Sequence, residues 1–173
     1  MVAAERREAI RETLLHADVP ISASALAAQL GVSRQIVVGD VALLRAGGFA
    51  IDALPRGYRV HTRDTGYTGL VACQHSTTEQ LRQELYLVVD NGGSLKDVIV
   101  ENPLYGELQA NLHIASRQDA DTFIRQAAQQ PQSLLSTMTN GVHLHNINCA
   151  DKASFDKVCQ ALKQAGILYE KET

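Results

Sequence analysis

Apolar residues in the first third of the chain recur at helical spacing in three segments. The pattern predicts helices over residues 3–15, 23–30 and 34–46. Ser22 and Ser33 precede the second and third helices as N-cap residues, and Gly31 ends the second. Two short alternating segments around a turn at Pro55, Arg56 and Gly57 then predict a β-hairpin. Three helices followed by a hairpin are typical of a winged helix-turn-helix domain.

The start of the third predicted helix carries the residue types that contact DNA. Ser33, Arg34 and Gln35 can hydrogen-bond base edges and phosphates in the major groove. Arg56, at the tip of the hairpin, would reach the backbone or the minor groove. Asp40 inside the helix would repel phosphate, so we expect it to pair with a nearby arginine. The alternative is a winged helix that binds another protein.

A polar segment at residues 61–69 is predicted to be a linker, followed by strands and helices in the order β-α-β-β-α-β-α-β. The predicted strands are 70–73, 94–100, 108–115, the segment around His143 and His145, and 167–169; the predicted helices are 79–89, 119–129 and 153–164. This order indicates an α+β sandwich with helices on one face of a mostly antiparallel sheet. We therefore expect a DNA-binding domain at 1–63 and a second domain at 64–173.

Charge is unevenly distributed between these two domains. Residues 1–63 contain eight basic and six acidic residues, a net charge of +2, whereas residues 64–173 contain eight basic and thirteen acidic residues, a net charge of −5. An anionic partner that touches only the first domain suits this distribution. Three widely spaced cysteines and the absence of a ~20-residue apolar run indicate a reduced, cytoplasmic protein outside the membrane.

Two histidines separated by one residue, His143 and His145, point to one face of their predicted strand. If His75, at a strand end, and Glu84, on the next helix, converged with these two residues, the site would contain three imidazoles and one carboxylate. Such a set suits zinc, nickel or another divalent ion. Glu79, one turn into the same helix, is the competing carboxylate. A cysteine ligand is the alternative to burial of the cysteines as small apolar residues.

The whole chain resembles the niacin-responsive transcription repressors, which join a biotin-repressor-like winged helix to a three-histidine domain. The matching stretches are VSRQIVVGDVALLRAGG, ACQH, QELYLVVDNGG, KDVIVENPLYGEL, SRQDADTFI and LSTMTNGVHLHNI. The resemblance implies a repressor of NAD-biosynthesis or niacin-uptake genes with nicotinic acid as co-repressor. It also implies a metal bound by residues matching His75, Glu84, His143 and His145.

One position departs from that family, whose members usually have histidine before the proline of the PLYG loop. Asn102 stands there in this chain. Asparagine hydrogen-bonds but is a poor transition-metal ligand, so effector affinity or preference is expected to differ. Asn102, Tyr105 and Arg117 are the candidate contacts to nicotinic acid or a related pyridine.

Two other functions use the same residues. A metal sensor would respond to the ion itself, and a hydrolase would use the ion to activate water. No further acid, base or nucleophile motif accompanies the histidines, so we expect no catalytic residues and no enzyme activity. A single winged helix contacts too little DNA for tight specific binding, so we expect a homodimer on operator DNA.

Overall fold

The computed structural model describes residues 2–170, and the chain divides into two compact units, Met1–Arg63 and Asp64–Thr173. The first unit consists of three helices and a two-stranded hairpin. Their bounds are α1 (Ala3–Leu15), α2 (Ala23–Leu30), α3 (Arg34–Ala46), β1 (Ile51–Leu54) and β2 (Gly57–Val60). The three predicted helices and the hairpin are confirmed.

Capping residues define the ends of the second and third helices. The Ser22 side chain accepts a hydrogen bond from the backbone N–H of Ala25 (3.0 Å), and Ser33 accepts one from Ile36 (3.3 Å). Gly31 closes α2 with φ +66°, a conformation that glycine adopts without strain. The tight connection between α2 and α3 follows from these three residues.

The hairpin is anchored to the segment before α2. Ile21 and Tyr58 exchange two backbone hydrogen bonds of 2.9 Å, which adds a short third pairing to the wing. Gly57 permits this approach, because a Cβ atom there would lie 2.4 Å from the carbonyl carbon of Ile21. The buried apolar residues of this unit form one cluster: Ile10, Leu14, Ala23, Leu26, Ala27, Val37, Val41 and Ile51.

The second unit contains four antiparallel strands and three helices. Their bounds are β3 (Tyr67–Gln74), α4 (Thr78–Asp90), β4 (Ser94–Asn102), β5 (Gly106–Ile114), α5 (Arg117–Gln129), β6 (Val142–Cys149) and α6 (Lys152–Gln164), with two short 3₁₀ helices at Pro131–Ser133 and Leu135–Thr139. The strand order is β3-β6-β4-β5, which makes β6 an inner strand. The predicted α+β class with a mostly antiparallel sheet is confirmed.

One face of this sheet is covered by helices. Apolar side chains of α4, α5 and α6 form a single buried cluster with alternate residues of the strands, such as Val71, Leu95 and Ile147. The same alternation along β6 buries His143 and His145 on the helix-covered face. Within residues 2–170, no helix is long and apolar enough to cross a membrane.

The linker prediction for residues 61–69 was too long, because β3 already begins at Tyr67. Gly69 lies within this strand, and its role is packing. A Cβ atom at Gly69 would lie 2.2 Å from the Phe155 ring of α6, so glycine lets that ring lie against the strand. Asn148 of β6 also donates to Thr68 Oγ1 (2.9 Å), which extends the pairing at this end of the strand.

Two further boundaries differ from prediction. The connection between the predicted strands 94–100 and 108–115 is a tight turn, since β4 continues to Asn102 and β5 begins at Gly106. Asn102 starts that turn by accepting hydrogen bonds from the backbone N–H groups of Leu104 and Tyr105 (2.9 and 3.0 Å). The predicted strand at 167–169 is reduced to one bridge between Leu168 and Cys73.

Candidate metal centre and DNA-contacting helix

The three predicted histidine ligands lie together at one end of the β3–β6 pair. Cys73 of β3 is directly opposite His143 of β6, and His145 follows on the same face. His75 comes immediately after β3, where its backbone N–H donates to the carbonyl of Gly141 (3.4 Å). The ring centroids of His75 and His143 are 4.8 Å apart, as are those of His143 and His145.

Helix α4 places Glu84 over these rings, and its side chain is only 1% exposed. One carboxylate oxygen, Oε2, lies 2.7 Å from His75 Nε2, and the other, Oε1, lies 3.0 Å from His143 Nε2. His145 Nε2 is 3.4 Å from Oε1. The competing carboxylate of Glu79 is 84% exposed in the first turn of α4. Glu84 is therefore the carboxylate that the fold brings to the histidines.

The Nδ1 nitrogens of two imidazoles donate hydrogen bonds to backbone carbonyls, which identifies the ring nitrogen that carries a proton. His143 Nδ1 donates to the Gly141 carbonyl (2.8 Å), and His145 Nδ1 donates to the carbonyl of Asp97. A carbonyl oxygen only accepts hydrogen bonds, so each Nδ1 carries a proton. The other ring nitrogen, Nε2, points towards Glu84. Metal-binding histidines are held in this way, with the outer nitrogen donating and the inner one facing the ion.

His145 Nε2 is buried and has no hydrogen-bond partner among the described residues; its approach to Glu84 is an ion-pair distance only. A buried polar atom without a partner is costly and calls for a ligand. Full protonation of the three imidazoles would leave several positive charges around one buried carboxylate, which is also costly. A divalent cation would relieve both problems, because neutral imidazoles could bind it through Nε2.

The electrostatics of the cluster favour a cation beside Glu84. Burial opposes ionisation of this carboxyl group, but the adjacent imidazoles outweigh burial and hold the pKa of Glu84 well below its usual value. Burial also opposes a charge on His145, yet the Glu84 charge and the bond to the Asp97 carbonyl raise the pKa of His145. Glu84 is thus an ionised carboxylate in a buried site, surrounded by nitrogen donors.

Cys73 was not among the predicted site residues, but its sulfur belongs to the same cluster. Donor atoms of Cys73, Glu84 and His143 all lie within 4.8 Å of one another. Burial and the nearby Glu84 charge raise the pKa of the Cys73 thiol far above its usual range. The sequence signal is the spacing, because Cys73 ends the predicted strand 70–73 and lies two residues before the proposed ligand His75. Nitrogen, oxygen and sulfur donors together fit a borderline divalent cation.

The predicted effector contacts lie outside this cluster of donors. Arg117 forms a bidentate pair with Asp90 (2.6 and 2.8 Å) and lies over the Tyr86 ring. Asp90 ends α4 six residues after Glu84, about 9 Å along the helix axis. Asn102 and Tyr105 belong to the β4–β5 turn, where the Tyr105 side chain is exposed.

Among the described residues, two cavities include a histidine of the cluster in their lining. One, of about 410 Å³, lies between His75, the first residues of α4 and the segment from Pro131 to Gly141. The other, of about 690 Å³, is lined by His143, by apolar sheet residues including Ile99 and Leu144, and by Gly106 at the β4–β5 turn. Both have the size of small-molecule sites.

The predicted DNA contacts lie at the exposed start of α3. Arg34 and Gln35 are exposed in its first turn, and Ser33 caps it through its side-chain oxygen. Arg56 is exposed in the turn between β1 and β2. Asp40 is buried instead, and its carboxylate pairs with Arg6 of α1 (2.5 Å). The expected pairing of Asp40 with an arginine is confirmed, and this acidic group is turned away from the exposed face of α3.

Comparison with known proteins gives both units a family. Residues 6–59 match the HTH domain, and residues 68–171 match the 3H domain. Over 166 residues, the chain is 38% identical to the probable transcription repressor NiaR of Thermotoga maritima (strain ATCC 43589 / DSM 3109 / JCM 10099 / NBRC 100826 / MSB8), with 96% of this chain and 94% of the relative aligned. Over 172 residues, it is 35% identical to the transcription repressor NadR of Bacillus subtilis (strain 168), with 97% and 95% aligned.

A helix-turn-helix domain followed by a 3H domain defines a class of DNA-binding transcription regulators. The chain has this domain order and is 38% and 35% identical to the two relatives over nearly its whole length. It therefore belongs to the NiaR/NadR family of transcription repressors. The resemblance seen in the sequence motifs is thereby confirmed.

Proposed function

We propose that this protein represses genes of NAD biosynthesis or niacin uptake, with nicotinic acid as co-repressor and a divalent metal, zinc or nickel, in the second domain. The observation that carries the proposal is the buried cluster of three imidazoles around Glu84, which contains the unpartnered His145 Nε2. A repressor that responds to a small molecule needs a site that binds this molecule. The cluster in the second domain is suited to bind an ion together with an anionic ligand.

His75, Glu84, His143 and His145 would hold the metal. The ion would supply a Lewis-acidic position for the carboxylate or ring nitrogen of nicotinic acid. The protein's own residues orient the site, because the carbonyls of Gly141 and Asp97 hold two of the rings. All four side chains are buried, so we expect little bulk water to reach these donor atoms.

The cavity between His143 and Gly106 supports a role for the β4–β5 turn in effector binding. Its lining includes His143, a proposed metal ligand, and Gly106, which follows Asn102 and Tyr105 at the β4–β5 turn. We propose that this turn closes over the bound pyridine. Arg117 is the third proposed contact, and it would have to exchange its pair with Asp90 for the effector carboxylate.

DNA contact is assigned to Ser33, Arg34 and Gln35 at the start of α3 and to Arg56 of the wing. We propose a homodimer that presents two such helices to an operator with twofold symmetry. The two DNA-binding units of the dimer would change their spacing when the effector binds.

Operator titrations test the function. Fluorescence anisotropy with promoter fragments of NAD-biosynthesis and niacin-uptake genes would be measured with chelator, metal alone, nicotinate alone, and both. Metal and nicotinate together should give the tightest binding. Full affinity with metal alone would replace the proposal with a metal sensor, and equal affinity in all four conditions would contradict both.

Calorimetry of the protein without DNA tests whether nicotinate binding requires the metal. Nicotinate should bind the metal-loaded protein and lose most of that affinity after chelation. Equal affinity in the two states would contradict the metal-centred site while leaving a nicotinate-responsive repressor.

A further inference from the structure

Cys73 lies in the middle of the cluster, in a place where an ordinary core residue would be apolar. It is 0% exposed and directly opposite His143 in the β3–β6 pair. Opposed residues of an antiparallel pair have Cβ atoms about 4.5–5.5 Å apart, so the sulfur and the His143 ring share one space. The sulfur, a Glu84 oxygen and a His143 nitrogen lie within 4.8 Å of one another.

Charge balance gives the sulfur a function. Before an effector binds, a divalent ion held by Glu84 and neutral imidazoles would have only one negative charge among its ligands, which leaves one positive charge uncompensated at the ion in a buried site. The carboxylate of Asp97, the nearby buried acid, is directed at other groups, because it accepts hydrogen bonds from the backbone and side chain of Asn146 (2.8 and 2.7 Å) and from Gln109 (2.7 Å). Cys73, as a thiolate, can provide the second negative charge.

We infer that Cys73 is a further ligand of the metal ion, bound through its thiolate sulfur. The inference rests on the proposed metal centre. The unpartnered His145 Nε2, which is buried and faces Glu84, is the independent sign that the cluster is completed by a cation. When the metal–sulfur bond forms, the S–H bond breaks and the proton passes to solvent.

A sulfur donor has a consequence for metal choice. Thiolate favours borderline and soft ions such as zinc over hard ions such as magnesium and calcium, which prefer oxygen. Neutral imidazoles favour the same ions. The donors from the protein would therefore be three nitrogens, one carboxylate and one sulfur, and magnesium should not compete with zinc.

Cobalt(II) substitution tests this directly, because a cobalt–thiolate bond gives an intense near-ultraviolet charge-transfer band. The metal-free full-length protein would be titrated with cobalt, as would Cys73→Ser and Cys73→Ala. Cys159→Ser is the matched control, since Cys159 is a half-buried cysteine of α6. The band should appear in the wild type and in Cys159→Ser and be missing in both Cys73 variants, which should retain weaker visible bands from the remaining ligands.

Zinc affinity, measured by competition with a chromophoric chelator, gives a second readout. Both Cys73 variants should bind zinc more weakly by at least the ~10–100-fold typical of losing a supporting group. A wild-type cobalt complex without the charge-transfer band, or one that keeps it in Cys73→Ser, would overturn the inference and leave the histidine–carboxylate centre intact. The absence of any cobalt absorption would overturn the metal centre itself.

Discussion

Gly141 has a backbone conformation that affects the geometry of the candidate metal site. Its φ is +86°, and a Cβ atom there would lie 2.1 Å from the carbonyl oxygen of His75. Its own carbonyl accepts the Nδ1 proton of His143. One glycine thus allows β3 and β6 to approach at the end where two predicted ligands lie.

Gly141→Ala is therefore expected to damage both stability and metal binding. Left-handed backbone costs an L-residue about 1–2 kcal/mol, and displacement of the His75 backbone adds about 1–3 kcal/mol. Gly92→Ala is the matched control, since φ is +80° there and nothing lies within 4 Å of the added Cβ. Urea unfolding should show the larger loss at Gly141, and equal losses would contradict the clash.

Glu84→Gln keeps the shape of the side chain but removes the charge around which the three imidazoles are arranged. Metal affinity should fall by more than the ~10–100-fold seen for supporting groups, because the substitution removes a proposed ligand. Glu79→Gln, on the exposed side of the same helix, should leave metal affinity unchanged. Elemental analysis and chelator competition would measure both, and the reverse ranking would make Glu79 the carboxylate.

At the scale of elements, α3 is the part of the first unit with an exposed polar start and a buried apolar stripe. Val37 and Val41 face the core, while Arg34 and Gln35 face solvent in the first turn, directly after the N-cap. A helix that enters the major groove uses its N-terminal residues for base contacts. The buried Asp40–Arg6 pair holds α3 against α1 on the opposite side.

Arg34→Ala should weaken operator binding by about 1–3 kcal/mol, the range for loss of a base-contacting arginine. Arg45→Ala removes the same charge in the last turn of α3, about 16 Å along the axis, and should change affinity much less. Anisotropy at fixed salt would compare them, with circular dichroism to verify folding. Equal losses would mean that charge alone, and not the position on α3, supports DNA binding.

At the scale of the whole molecule, each unit has its own buried cluster, so the two should respond differently to metal removal. Saturating metal at 100 times Kd stabilises a binding unit by about 2.7 kcal/mol, or roughly 10 °C or more in Tm for a domain of this size. Chelation should lower the transition of the second unit by that amount and leave that of the first unchanged. Glu84→Gln should show no further change on chelation.

Repression also implies thermodynamic coupling between the two units. If nicotinate tightens operator binding, operator DNA must raise nicotinate affinity by the same factor, within about 5–150-fold for typical allosteric proteins. Calorimetry with nicotinate, in the presence and absence of operator DNA, would measure this factor. A factor that differs from the one obtained by DNA titration would show that the two measurements do not report one linked equilibrium.

Local periodicity was enough to predict most elements of this protein from its sequence. Helical spacing and the two serine caps predicted α1–α3, and two-residue alternation placed His143 and His145 on one face. Boundaries that depend on a packing partner were mispredicted. Gly69 looked like a linker residue because its partner, Phe155, is 86 positions away in sequence, and periodicity contains no information about such a neighbour.

By itself, the sequence determined the two-domain order, the helix-turn-helix, the α+β class and the shared face of two histidines, because each depends on residues close together in the chain. Only the tertiary structure decided that β6 pairs with β3, so that Cys73 lies opposite His143, and that α4 turns Glu84 rather than Glu79 towards the rings. Strand order and helix rotation are set by the packing of the whole apolar core. The candidate metal centre takes its residues from β3, the position just after β3, α4 and β6, so its geometry depends on the packing of that core.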